Sequence, residues 1–416
     1  MRVGSGLLIV LMFAVAVCAQ DRPRTTLAEV VDAAVANNPD IAAAQQRYEA
    51  ARQRPAQERS LSDPMVSAGY SSSGRPWPGA GLGAEPTANI GFMVSQAVPY
   101  PGKRGLRAAV ASKEADAEFQ QIDAARLRII AQVKQAYYRL AYADAVSKVL
   151  SRNQELLDTL LKVSEGRYAV GQAAQQDVIK AQTQLSILTL QFERVRQERA
   201  IREGELNALL NRPARTPIGE AEELQLTAFD HSLDALVAAA IEHAPMLRRD
   251  RAMIERSQLA VDAARKDYKP DFAVTGGYYY MGAMAPMYEF RVDVTIPLQR
   301  AHRVAAVAER RSLVDAARST FESTRLDLQS RLQESFNIAS TSVRLAHLYR
   351  DTVLPQARLA LESSMTSYQT GSVDFLSVLT NFGTVLEYEM TFFDELAMYH
   401  TAVSRLEEMT GTSIVH

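Results

Sequence analysis

Met281, Met284 and Met287 recur every three residues, and their soft thioethers would suit Cu(I) or Ag(I). Methionines also fill gaps in loops with no metal present. The histidines His231, His243, His302, His347, His400 and His416 form no pair at ligand spacing, so a structural zinc site is not expected. Carboxylates such as Asp262 and Asp267, or Glu407 and Glu408, sit in charged helical patterns without a nucleophile or a pocket signature. No phosphate-binding loop, nucleophile elbow or dinucleotide fingerprint stands in a suitable context. The chain therefore reads as having no catalytic site and no cofactor.

The chemistry that does stand out is partition between lipid and water. From Tyr288 to Ile296, Tyr288, Phe290, Val292, Val294 and Ile296 point one way while Glu289, Arg291, Asp293 and Thr295 point the other. This alternation suits a strand with lipid outside and water inside. Three weaker strands share it, giving spans of about 65–73, 88–98, 272–281 and 288–296, each near the length a tilted membrane strand needs. Residues 74–86, rich in glycine and proline with Trp77, and the shorter 281–287 would be the outer loops.

The elements around these strands are duplicated. Leu27 to Pro39 (LAEVVDAAVANNP) matches Leu233 to Pro245 (LDALVAAAIEHAP), and Tyr168-Ala169-Val170-Gly171 matches Tyr368-Gln369-Thr370-Gly371. Each half reads helix, strand pair, very long helix, glycine turn, helix, dividing the chain into a first repeat at 20–220 and a second at 221–416. Lys103 to the turn before Gly171 has no further proline, which predicts about 65 helical residues and a length of about 100 Å. Its counterpart, Ala301 to Tyr368, is broken at Pro355, where a kink or junction is expected. Ile129, Val133, Ala136, Leu140 and Ala143 form a seam at steps of three and four, answered by Leu332, Phe336, Ala339, Val343 and Ala346; this is coiled-coil packing.

Composition sets the class. With 416 residues, 23% charged and a net charge of −2, the chain has no electrostatic footprint for nucleic acid. Arg2, the apolar run Leu7–Val17 and the small Ala19 read as a signal peptide over 1–19, with the mature chain starting at Gln20. Cys18, the single cysteine, would otherwise be a lipidation site, but Val17 is bulky where a small residue is normal. Past the leader no apolar run is long enough for a membrane helix, so any span must be made of strands. Four strands cannot close a barrel, and three copies are the smallest assembly that leaves a lumen, with about twelve strands.

The run Gln96-Ala97-Val98-Pro99-Tyr100-Pro101-Gly102-Lys103-Arg104, together with the paired Tyr-x-x-Gly turns, resembles the TolC family of outer-membrane efflux proteins, particularly its heavy-metal and multidrug branch. The resemblance covers essentially the whole mature chain. It implies a mainly helical fold with a transmembrane β part: a homotrimer whose outer-membrane barrel stands on a long periplasmic helical tunnel. It also implies a Gram-negative outer-membrane location, a periplasmic adaptor and an inner-membrane transporter, of RND type rather than ABC.

Pro99, Tyr100, Pro101 and Gly102 would then turn strand into helix, leaving Lys103 and Arg104 at the membrane edge to meet lipid phosphates or serve a structural corner. Gly171 and Gly371 would reverse the chain at the tips, with Arg167, Tyr168 and Tyr368 as adaptor contacts or as packing residues. Asp177 would form an acidic ring that repels anions, Asp374 standing in for it in the second repeat. The function implied is passive export of small molecules or metal ions. A type I protein secretion channel and a trimeric surface coiled coil without transport are the alternatives.

Overall fold

The computed structural model describes residues 24–74 and 76–414. The leader and Cys18 lie outside the described residues. The first half runs β1 (Arg24–Thr25), α1 (Leu27–Asn37), α2 (Pro39–Ala51), α3 (Arg54–Arg59), β2 (Met65–Ser71), β3 (Asn89–Val98), α4 (Lys103–Ala169) and α5 (Gln175–Leu209). After β4 (Glu220–Ala221), the second half follows the same order: α6 (Leu233–His243), α7 (Pro245–Lys266), β5 (Asp271–Tyr280), β6 (Met287–Thr295), α8 (Arg300–Leu348), a π-helical turn at Tyr349–Val353, α9 (Leu354–Thr370) and α10 (Phe375–Thr410).

Local chemistry explains the matched starts. Thr26 closes a capping box on α1, accepting the Glu29 N–H while the Glu29 carboxylate accepts that of Thr26. Ser232 caps α6 in the same way on one side, accepting the N–H of Ala235. Pro39 and Pro245 then open α2 and α7, where a missing N–H does no harm.

The long helices differ in one respect. α4 runs unbroken for 67 residues, about 100 Å at 1.5 Å per residue, whereas the second repeat meets Pro355 in the first turn of α9. Pro355 offers no N–H to the carbonyl one turn back, and the widened π turn lies immediately before it. The junction falls where the proline predicts it. Pro297 to Gly371 is also two residues longer than Pro99 to Gly171, and the π turn takes up part of that excess.

All four long strands form one antiparallel sheet in the order β2-β3-β5-β6. The central β3–β5 ladder, running from Ile90↔Tyr280 to Val98↔Phe272, joins the two repeats. In the upper helical region α2 and α3 pack on α4, α4 on α7 and α7 on α8; lower down α5 and α10 flank α4. The seam residues Ile129, Val133, Leu140 and Ala143, with Leu332, Ala339 and Ala346, are almost fully buried.

At the corner between β3 and α4, Gly102 has φ +91° and Lys103 begins the helix. Of the two roles open to Lys103, the structure shows the structural corner: its side chain is only 5% exposed. Its ammonium donates to the Asp271 carboxylate at 2.9 Å and the Lys269 carbonyl at 3.0 Å, and Asp267 lies at 3.7 Å. Asp271 also accepts the Tyr100 N–H at 2.8 Å. Three partners inside the fold thus engage this ammonium. Arg104 instead donates to the Arg59 carbonyl at 3.0 Å. Lys103→Met should therefore cost about 1–3 kcal/mol, discounted because both aspartates are half exposed. Arg104→Met should stay within about 0.5 kcal/mol, both read as shifts in the denaturation midpoint.

Candidate functional site

The sheet has two unlike faces. On one, Val66 pairs with Val94, Phe92 with Tyr278, Val274 with Val292 and Phe272 with Val294. These residues meet no protein on that side: Tyr288 and Phe290 are 76% and 77% exposed. On the other face, Thr275 donates to Ser95 at 3.0 Å, and Arg291 reaches Asp293 at 3.1 Å and Glu289 at 3.3 Å. The Tyr279 hydroxyl donates to Glu289 and lies 3.2 Å from the Met93 sulfur. Its ring lies so close over Gly91 that a Cβ there would sit 2.8 Å from it. Among the described residues no helix is long and apolar enough to cross a membrane.

The helical layer also has two unlike sides. A groove of about 510 Å³ touches Arg54 and Glu58 of α3, Arg107 and Glu114 of α4, Arg256 of α7, and Glu309 and Arg310 of α8. The groove thus spans one side of α3, α4, α7 and α8. Hollows lined by Glu118 and Gln121, then by Gln132, Gln135 and Arg139, continue along α4, so positions 107, 111, 114, 118, 121, 132, 135 and 139 keep the 3–4 rhythm of one helix face. This wall mixes both charges, with Arg54–Glu114 at 2.8 Å and Arg256–Glu114 at 3.6 Å.

The opposite side of α4 carries an extended strap running through β4. The Tyr137 hydroxyl donates to the Thr25 carbonyl at 2.7 Å and accepts the Glu222 N–H at 2.9 Å. Burial pushes its pKa up to about 12, so it stays a neutral donor. Arg199 bonds Asp144 at 2.6 Å and the Gly219 carbonyl at 3.2 Å, while Asp144 accepts the Ala221 N–H. His400, stacked on Tyr138, contacts the Gln225 carbonyl at 2.8 Å, and burial holds its pKa below the usual imidazole value. Charged wall and strap were both missing from the sequence reading. The 3–4 recurrence of polar residues on α4 would have located the wall; nothing comparable marks the strap.

The two glycine turns lie together at the far end. Gly171 and Gly371 have φ +75° and +81°, and Ser372 donates back to the Ser367 carbonyl, closing the second turn. Arg167 bridges them: its guanidinium donates to the carbonyls of Tyr368 and Gln369, and sits 4.8 Å from the centre of the Tyr368 ring. Tyr368 is 4% exposed and packed on Phe375, whereas Tyr168 is 47% exposed. A surface role for the Tyr368 ring therefore gives way to a packing role. Asp374 caps α10, and the Ser377 hydroxyl and amide hold its carboxyl below the usual carboxylate range. Asp177 lies in the first turn of α5, half-buried.

In the outer loops, Gly83 donates to the Met281 carbonyl at 3.0 Å. Gly282 presses so closely on Gly83 that a Cβ would lie 2.6 Å from its nitrogen. The segment carrying Met281, Met284 and Met287 is thus placed by backbone contact. No cluster of three His, Cys, Asp or Glu side chains that could hold a metal occurs among the described residues.

The sequence model of the family described as outer membrane efflux protein matches residues 30–212 and 236–412. The cobalt-zinc-cadmium resistance protein CzcC of Cupriavidus metallidurans is 21% identical over 322 residues, covering 74% of each chain. Among solved structures, the outer membrane protein VceC of Vibrio cholerae superposes with a TM-score of 0.78 at 17% identity, over 93% of this chain and 96% of that one. The CmeC outer membrane channel of Campylobacter jejuni gives 0.76 at 16% identity, over 94% and 86%.

Arg167→Ala should weaken the link between the turns by about 1.5–3 kcal/mol, read as a roughly tenfold to hundredfold rise in amide exchange at Gly371 and Ser372. Tyr168→Ala should leave those amides unchanged.

Proposed function

The chain belongs to the outer membrane efflux protein family, and from that premise we propose that it is the passive exit duct of a tripartite efflux system, built from three copies. The observation that carries this reading is the four-stranded sheet, apolar and exposed on one face, polar on the other, with β2 and β6 unpaired at its edges. Open edges in hydrocarbon leave backbone groups without partners at several kcal/mol each. Three such sheets joined edge to edge supply about twelve strands and a lumen. The polar faces then line the water path, and the charged helical wall continues it through the periplasm.

A periplasmic adaptor would meet the turn end, where Tyr168 is exposed beside Gly171, and an RND-type inner-membrane transporter would supply the driving force. Small molecules or metal ions are the cargo class; the likeness to a cobalt-zinc-cadmium resistance protein supports metal ions among them. The mixed-charge wall favours a duct that passes cargo rather than a pocket that selects it.

Asp177 is the acidic residue best placed to set charge preference at the tip, because Asp374 is engaged as a helix cap. Three copies would set three such carboxylates around one axis, attracting cations. Purified protein in planar bilayers should show long-lived conducting events with cation preference. Asp177→Ala should raise the conductance and reduce that preference, read as a reversal potential moving toward zero in a salt gradient. Assemblies that never conduct, even after Arg167→Ala loosens the tip, would instead favour a scaffold.

A further inference from the structure

We propose that the inner rim of the sheet, where strands pass into helices, is a docking surface for anionic phospholipid headgroups, centred on Arg300, Lys269 and Arg59. The inference rests on the sheet lying in a membrane and adds the lipid class that its lower edge recognises. Segments 59–64, 99–104, 266–271 and 296–303 connect every strand to its helix, and they hold seven Lys or Arg residues against three Asp. The outer loops, 72–88 and 281–286, hold one arginine and one glutamate. A chain of net charge −2 thus concentrates positive charge at one end of its sheet.

The partners of these charges sharpen the point. Asp267 and Asp271 both serve Lys103. Arg303 donates to the Asp267 and Gln299 carbonyls, Arg104 to the Arg59 carbonyl, and Lys266 lies 5.8 Å from the centre of the Tyr100 ring. None of those acceptors carries a compensating charge. Arg59, Lys269 and Arg300 are exposed and form no ion pair among the described residues, and Asp63 is the one acidic residue of these segments outside the Lys103 cluster.

Geometry carries the rim into line with the apolar face. The exposed side of β6 proceeds by twos through Phe290, Val292 and Val294 to Ile296 and Leu298, 64% and 82% exposed. Beyond the strand, the Leu298 N–H donates to the Ile296 carbonyl and the Arg300 N–H to the Leu298 carbonyl. These are successive two-residue turns that bring Arg300 next in line. An apolar track ending in a guanidinium matches a phospholipid, acyl chain above and phosphate below. When sheets join edge to edge, Arg59 ahead of β2 in one copy comes beside Arg300 after β6 in the next. Like charges meeting at that seam repel unless an anion lies between them.

The test uses the full chain in nanodiscs of phosphatidylcholine alone or mixed with phosphatidylglycerol, with retained lipid read by native mass spectrometry. Wild type should retain phosphatidylglycerol in preference to phosphatidylcholine. The variant Arg59→Gln/Lys269→Gln/Arg300→Gln should lose that preference by roughly fivefold per charge, while Arg194→Gln, exposed on α5 far from the rim, keeps it. Equal retention of both lipids by wild type, or an unchanged preference in the triple variant, would overturn the proposal. So would a triple variant that only falls apart into single chains, since the rim would then be an interface between copies. Failure to insert into either lipid would overturn the membrane reading beneath it as well.

Discussion

The ladder between β3 and β5 is the constraint on which the architecture depends. It hydrogen-bonds the first repeat to the second along Ile90–Val98, so neither half has an independent sheet. It also fixes register: with Phe92 opposite Tyr278 and Ser95 opposite Thr275, apolar residues of both halves share one face and polar residues the other. A slip of one residue would place Tyr279 and Glu289 among the apolar residues. By occupying the centre, the ladder leaves β2 and β6 as the edges of the four-stranded sheet, the edges that the proposed assembly would join.

Below the sheet, a seven-residue rhythm on α4 does what the two-residue rhythm does on the strands. Seam positions such as Val133 and Leu140 pack on neighbouring helices, while Arg107, Glu114 and Gln121 line the charged grooves. Tyr137 and Asp144 receive the strap on the other side. One helix about 100 Å long can thus hold its neighbours, present a polar wall and carry a strap without interruption. Glu389 adds a cross-tie between α4, α9 and α10: its carboxylate is 5% exposed and takes both Arg152 and Arg358. Removing either arginine would leave a buried charge poorly compensated, which opposes separation of these helices.

The elements were legible in the sequence because their signals are local. Alternation marked the strands to within about two residues, glycine marked the turns, and Pro355 marked the junction at the π turn. The partners of single charged side chains were not legible, because they come from residues far away in the chain. Lys103 read equally as a lipid contact or a structural corner, and only the approach of Asp267 and Asp271 shows its partners. Likewise the two Tyr-x-x-Gly motifs look equivalent, yet Tyr368 is buried beneath Arg167 and Tyr168 is exposed. Sequence similarity between repeats does not carry over to their surroundings.

That inequivalence shapes how the tip can move. The second turn is held by backbone carbonyls accepting from Arg167, by the Tyr368 ring under the guanidinium, and by packing on Phe375. No corresponding arginine in the second repeat grips the first turn, since Thr366 and Ser367 stand where Gly166 and Arg167 do. In the proposed duct, spreading the two turns therefore breaks one guanidinium's bonds rather than a symmetric pair of clasps. Hydrogen bonds to a charged group are worth about 1.5–3 kcal/mol, within reach of a partner that binds the open tip a few hundredfold more tightly than the closed one. In that duct the clasp would set the cost of parting the two turns, and a docking partner would have to meet it.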